Sequence, residues 1–246
     1  MTTLRTPEDF ASKTALERCQ AFVVHQLRLR TGHPAPHHPT SGPALTISHQ
    51  TGAGEHVVAE RVAHLLEAGG HKGAVPWTVF DRDLVDKVLE EHNLPHSLAQ
   101  FMPEDRRSLI QDTLDELLGT RLPSWSAVPQ VAETVLHLAH AGHAILVGRG
   151  ANVITAGLPR VFHVRLVGSQ EGRIARIQEE RHLSHAAAAT FVKKADRAHG
   201  RYVKAYYHVS AEDDTRYHLI LNTDLLSLEE AAWIIAEAAQ RSFRAS

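Results

Sequence analysis

From residue 44 onward, short apolar runs alternate with longer segments whose apolar residues recur every three or four positions. The short runs, 45–48, 75–80, 144–147, 161–167 and 219–222, are aliphatic or β-branched and of strand length. The longer segments read as helices. The first, 57–66, turns Val58, Val62, Leu65 and Leu66 to one side. Others follow at 83–91, 104–118 and 131–140, the last two separated by Pro123 and Pro129. A long helical region spans 170–207, and a final helix spans 227–240. That last helix opens on Ser227-Leu228-Glu229-Glu230, which predicts a capping box with Ser227 as N-cap and Glu230 at N3. Short apolar strands flanked by helices predict an α/β fold: a doubly wound, five-stranded parallel sheet covered on both faces. Ligands of such a sheet sit at the carboxyl ends of its strands.

Residues 1–43 read differently. A helical rhythm over 14–30, with Leu16, Phe22, Val23 and Leu27 toward one face, runs into Thr31-Gly32-His33-Pro34-Ala35-Pro36-His37-His38-Pro39. Prolines at that density deny both helix and sheet, so this part is an N-terminal helix and linker ahead of a main domain at 44–246. The helix could dock on that domain or on a second subunit, which leaves an exchanged-arm homodimer open.

Composition adds mostly exclusions. A net charge of −2 gives no basic field for nucleic acid or a membrane surface. The single cysteine, Cys19, cannot form an intrachain disulfide. No apolar run reaches the roughly 20 residues of a membrane span, and residues 1–10 lack a signal-peptide core. A cytoplasmic protein is expected. The 19 histidines invite a metal reading, but His137, His140, His143, His182 and His185 have no zinc-ligand spacing. They are expected to be structural or solvated.

The chemistry-bearing motifs each follow a strand. After the first comes Thr51-Gly52-Ala53-Gly54, either a tight turn or a loop whose backbone N–H groups meet phosphate at a helix N-terminus. After the second comes Phe80-Asp81-Arg82-Asp83, readable as an N-cap aspartate beside a solvated arginine. After the third, Gly148-Arg149-Gly150-Ala151-Asn152 sets a guanidinium between two glycines, which suits a phosphate better than packing. Lys193, Arg197, Arg201 and Lys204 share one helical face, either a solvated stripe or a mobile lid over transferring phosphates.

In this order the motifs resemble the cytidylate kinase-like family of P-loop nucleotide kinases. The resemblance runs over about 44–239 and rests on Thr46-Ile47-Ser48…Gly52-Ala53-Gly54, Phe80-Asp81-Arg82, 145–152, 161–166, Asp196-Arg197 with Arg201-Tyr202, and 219–224 with 227–231. It implies ATP and Mg²⁺ as cofactors and small-molecule nucleotides as partners. Donor phosphates would lie on Gly52, Ala53, Gly54, Glu55, His56 and Val57. The acceptor would lie near Asp81, Arg82 and Arg149, with a helical acceptor-side segment at about 81–130. Arg149, Arg197 and Arg201 would be catalytic, the last two on a lid at about 184–212. Thr223 and Asp224 would lie near the adenine.

The chain departs from that pattern where charge matters. The family's true kinases follow Gly-x-Gly with lysine, glycine and a hydroxyl residue; Glu55, His56 and Val57 stand there. His49 stands where the subgroup writes arginine, Gly150 where the true enzymes have aspartate, and His199 replaces a lid arginine. A carboxylate beside a polyphosphate costs about 1 kcal/mol in water and more in a drier site. Two readings follow: a phosphotransferase moving the ATP γ-phosphoryl to a nucleoside monophosphate or similar acceptor, or a degenerate kinase fold acting as a nucleotide-binding or regulatory module.

Overall fold

The computed structural model describes residues 42–69, 76–81 and 127–245. The expected N-terminal helix and linker, Arg82, and the helices at 83–91 and 104–118 lie outside the described residues. Strands β1 (Ala44–His49), β2 (Thr78–Phe80), β3 (Ala144–Val147), β4 (Val161–Val167) and β5 (Leu219–Asn222) form one parallel sheet in the order β2-β3-β1-β4-β5. The chain leaves central β1 toward β2 and β3, then crosses back to β4. The carboxyl ends of β1, β3 and β4 therefore frame the crevice where such sheets bind ligands.

Six α-helices are described: α1 (Glu55–Ala68), α2 (Ala127–Ala141), the single turn α3 (Ala151–Ile154), α4 (Gln170–Arg181), α5 (His185–Tyr207) and α6 (Leu228–Ala245). Three boundaries differ from expectation, each for a local reason. Helix α2 begins before Pro129, which falls in its first turn, where the missing N–H has no helical partner to lose. Strand β2 is only three residues long; it lies at the sheet edge beside Pro76, which cannot donate to a ladder. The helical region 170–207 breaks at His182, which takes a left-handed conformation, and restarts where the Ser184 hydroxyl accepts the Ala187 N–H. The capping box forms as predicted: Ser227 Oγ accepts the Glu230 N–H at 3.2 Å, and Glu230 Oε2 accepts the Ser227 N–H at 2.9 Å.

Two apolar layers cover the sheet. On one face α1 and α6 pack Val58, Val62, Leu66 and Ile235 onto Leu45, Ile47, Ile145 and Val164. On the other, α2 packs Val135, Leu136 and Leu138 with Phe80, Leu146 and Ile154, and α5 joins them through Val203 and Tyr207. The α4–α5 hairpin has its own small core of Ile174, Ile177, Ala188 and Val192. This arm joins the main apolar core through Val203 and Tyr207 at the far end of α5.

A polar stripe interrupts the second layer. Thr46 pairs with His163, and Ser48 with Arg165, across β1 and β4; all four are buried on the same face. Thr46 Oγ1 lies 2.9 Å from His163 Nδ1, and the His163 backbone N–H donates to His218 Nδ1 at 3.0 Å. Burial, with His218 alongside, lowers the pKa of His163 from 6.5 to about 4. Unfolded chains therefore take up a proton that the fold refuses, and stability falls as pH drops from about 6.5 toward 4. The loss is at most about 1.4 kcal/mol per pH unit. Urea midpoints measured between pH 7 and 4.5 should fall less steeply for His163→Asn than for the wild type. Equal slopes would contradict this.

Candidate functional site

The loop leaving β1 is shaped by its glycines. Gly52 and Gly54 have φ of 82° and 88°, a left-handed backbone that side chains resist. Neither has room for one: a Cβ on Gly52 would come within 2.6 Å of the Arg173 carbonyl, and one on Gly54 within 2.5 Å of Leu228. Ala53 N–H closes the turn on Gln50 O at 3.0 Å. The first helical bond of α1 is Val58 N–H to Gly54 O. The amides of Glu55, His56 and Val57 thus have no carbonyl within the helix, and the positive end of α1 points out of the loop.

Charged side chains hold this loop from behind. Arg173, from α4, donates to Thr51 O at 3.0 Å, to Gly168 O at 3.1 Å and to Asp196 Oδ2 at 2.8 Å. Asp196, from α5, in turn accepts the Thr51 N–H at 2.9 Å. Arg176 donates to Gly52 O and Thr223 O and lies 3.5 Å from Asp224. Hydrogen bonds from Ser169, aided by Arg176, hold the Asp224 carboxyl below the usual range. Gln50 Oε1 accepts the Gly168 N–H at 3.0 Å. The loop, the turn after β4 and the helical arm form one hydrogen-bonded unit.

Glu55 turns back toward the strand it follows. Its carboxylate lies 3.3 Å from His49 Nδ1, with 12% of the side chain exposed. The two positions where cations were expected face each other. At the next helical residue His56 lies 3.7 Å from Asp81 Oδ2. Val57 is exposed.

Arg149 occupies a rare backbone. Gly148, Arg149 and Gly150 have φ of 74°, 56° and 71°, three left-handed residues in a row. Arginine has no intrinsic preference for that region, and such strain clusters at ligand sites. Gly148 N–H on Ile47 O and Ala151 N–H on Gly148 O hold the turn, each at 3.0 Å. Gly150 lies under the Tyr207 ring, 2.6 Å from where a Cβ would be.

Between β1, β4 and α5 lies a cavity of about 420 Å³. Buried Arg165 lines its sheet side; Asp196, His199, Gly200 and Lys204 line it from α5, with spacings that place them on one helical face. Burial, and then the charges of His49 and Arg165, lower the pKa of His199 from 6.5 to about 4, so it is neutral at pH 7. Arg197 and Arg201, the expected lid cations, are exposed and do not line the cavity. The structure thus gathers the loop, Glu55 and Asp81 near one strand end, sets Arg149 at the end of adjacent β3, and leaves Arg197 and Arg201 facing solvent. Roles for Arg165, Asp196 and His199 were not anticipated. Polar residues at alternate positions of a strand buried on both faces, Thr46 and Ser48 or His163 and Arg165, were the signal for the first.

The profile of the cytidylate kinase-like family matches residues 44–225. The chain belongs to that family. Its fold is the kinase-like, nucleotide-binding P-loop type. A solved structure of an uncharacterized protein from Eubacterium ventriosum superposes with a TM-score of 0.54 at 14% identity, covering 80% of this chain and 98% of that one. Shikimate kinase from Bacteroides thetaiotaomicron aligns over 81% of this chain and 95% of its own at 18% identity, with a TM-score of 0.38. Among curated proteins, a uronate isomerase of Corynebacterium glutamicum is 23% identical over 99 residues, 40% of this chain. The match spans about a fifth of that enzyme's length, 19%.

Three of the described histidines have local contacts or positions. His182 ends α4, His185 lies 3.3 Å from Glu171, and His137 lies 3.5 Å from Glu133. Among the described residues no three His, Cys, Asp or Glu side chains converge as a metal site. No described helix is long and apolar enough to cross a membrane.

The Arg173–Asp196 pair predicts a stability difference within α5. Breaking a buried ion pair costs about 3–5 kcal/mol, but the Asp196 side chain is 32% exposed. Asp196→Ala should therefore lose about 2 kcal/mol in urea unfolding, and neighbouring Arg197→Ala at most about 0.5 kcal/mol. Equal losses would contradict the assignment.

Proposed function

We propose that the chain is an ATP-dependent phosphotransferase that moves the γ-phosphoryl to a nucleoside monophosphate or a similar small, anionic acceptor. The observation that carries this reading is the β1–α1 loop: two left-handed glycines followed by three open amides, in a chain of the cytidylate kinase-like family. Such a nest fits a polyphosphate through backbone alone. It does not supply the lysine charge of a full P-loop, and His56 and Val57 bring no hydroxyl to a metal.

Transfer in this class needs positioning and charge neutralisation rather than a covalent enzyme intermediate. Mg²⁺ arriving with the nucleotide would supply charge neutralisation, without a hydroxyl from His56 or Val57 to hold it. The residues of this chain would do the rest. Loop amides would orient the donor, Arg149 would act from the end of β3, and His49 would engage the Glu55 carboxylate. Arg197 and Arg201 would reach the phosphates only if α5 rotated or closed over them.

One observation favours a nucleotide-binding module without turnover. Asp196 occupies the Thr51 N–H, so an internal carboxylate already sits at the back of the loop. A coupled ADP-release assay across nucleoside monophosphates and other small phosphorylated alcohols, with Mg²⁺, separates the two. Turnover is expected with at least one acceptor, and Arg149→Ala should lower it by about 100-fold, the usual cost of removing a transition-state charge partner. ATP binding without turnover on any acceptor would contradict the phosphotransferase and support the module.

A further inference from the structure

The left-handed turn that carries Arg149 is braced on one side by an aromatic ring. Backbone bonds fix the two ends of the turn: Gly148 N–H donates to Ile47 O at 3.0 Å, and Val153 N–H donates to Gly150 O at 2.8 Å. Between them Arg149 sits at φ 56°, where its Cβ makes the backbone unfavourable. Such a conformation persists only where the surroundings hold it. Tyr207 supplies them on the α5 side. Its Cε2, Cδ2 and Cζ lie 2.6, 3.1 and 3.5 Å from where a Gly150 Cβ would be, so the ring fills the space that a side chain would take.

Tyr207 is itself well fixed. It is the last residue of α5, 4% exposed, and shares a core cluster with Ala151, Val153 and Ile154, which carry the chain from the turn through α3. A buried phenol needs a partner, and the Tyr202 hydroxyl lies 3.2 Å from its own. The two rings meet at 81° with centroids 5.8 Å apart. Burial, and then Tyr202, push the Tyr207 hydroxyl above the usual phenol range, while the Arg149 charge pulls it back, so the guanidinium lies within electrostatic reach of that hydroxyl. The same helix carries Asp196, which accepts the Thr51 N–H at 2.9 Å. Helix α5 therefore holds the β1–α1 loop with one residue and the Arg149 turn with another.

We propose that Tyr207 is a positioning residue for Arg149: its ring keeps the Gly148-Arg149-Gly150 turn left-handed and so aims the guanidinium from the end of β3. The role given to Arg149 rests on the phosphotransferase reading, whereas the hold of Tyr207 on the turn belongs to the fold before any ligand binds. Filling the core asks only for a large apolar side chain at 207. Holding the turn asks for a flat ring against the bare Cα of Gly150. Without that ring the turn is free to relax, and a guanidinium displaced by about 1 Å can lose on the order of 100-fold in rate.

The test compares Tyr207→Leu with Tyr207→Phe in the full chain, each with and without Arg149→Ala. Tyr207→Leu should lower kcat about ten-fold with KM for ATP within about two-fold. Tyr207→Phe, which keeps the ring, should retain most of kcat. On the Arg149→Ala background Tyr207→Leu should cost less than about two-fold, because its effect passes through the missing guanidinium. Hydrogen exchange adds a readout that needs no turnover. In Tyr207→Leu the Gly148 and Ala151 amides, which bond Ile47 O and Gly148 O, should exchange about ten-fold faster while the β4 amides keep their protection. Should Tyr207→Leu fail to fold, Tyr207→Met takes its place in both measurements. Equal losses of kcat on the two backgrounds, unchanged exchange at Gly148 and Ala151, or an acceleration shared equally by β4 would overturn the proposal. A wild type that turns over no acceptor would refute the phosphotransferase reading, and the exchange result alone would then decide whether Tyr207 holds the turn.

Discussion

The Arg173 guanidinium joins three parts of the chain that are far apart in sequence. It bonds the loop after β1, the turn after β4 and the carboxylate of Asp196 on α5. Because it is 7% exposed, those bonds form in a medium where charge and geometry count for more than in water. The loop's backbone is thereby set before any ligand arrives. Preorganised amides are what a phosphate site needs when it has no lysine, since they cost no rearrangement at the moment of binding. The arm that carries Asp196 is held to the same point, so the position of α5 and the shape of the loop are coupled.

Glu55 is understandable within that frame. Isolated at the N-terminus of a helix, a carboxylate is favoured by the dipole but repels a polyphosphate. Here it faces His49 at 3.3 Å, with little of its side chain exposed. The same pairing of histidine and carboxylate recurs at His56 and Asp81. Positive charge has instead moved to the strand ends and the cavity: Arg149 on its left-handed turn, Arg165 in the polar stripe, Lys204 on the arm. On the proposed reading, the site would keep the backbone half of a phosphate loop and redistribute the side-chain half.

Much of the fold was legible in local patterns. The runs 144–147, 161–167 and 219–222 are strands at the same residues, and Ser227 with Glu230 caps α6 as its spacing required. The glycine loop was legible because its signal is local. The rest of the site was not, because it is made of contacts without a spacing rule: Thr51 and Asp196 are 145 positions apart, Arg173 and Thr51 122 apart. Helical periodicity grouped Arg197 and Arg201 with Lys204, yet which stripe of α5 meets the sheet was decided by Val203 and Tyr207 packing into the core. Those anchors present Asp196, His199, Gly200 and Lys204 to the cavity. Arg165 was readable in principle, since a charged residue in a strand buried on both faces needs a reason.

The central claim is that this loop binds phosphate through its backbone. Amide ¹⁵N–¹H resonances followed during a Mg-ATP titration test it most directly. The largest shifts should fall on Gly52, Gly54, Glu55 and His56, saturating together, with the Arg165 side-chain resonance little changed. ATP binding that leaves those four amides unmoved would contradict the account.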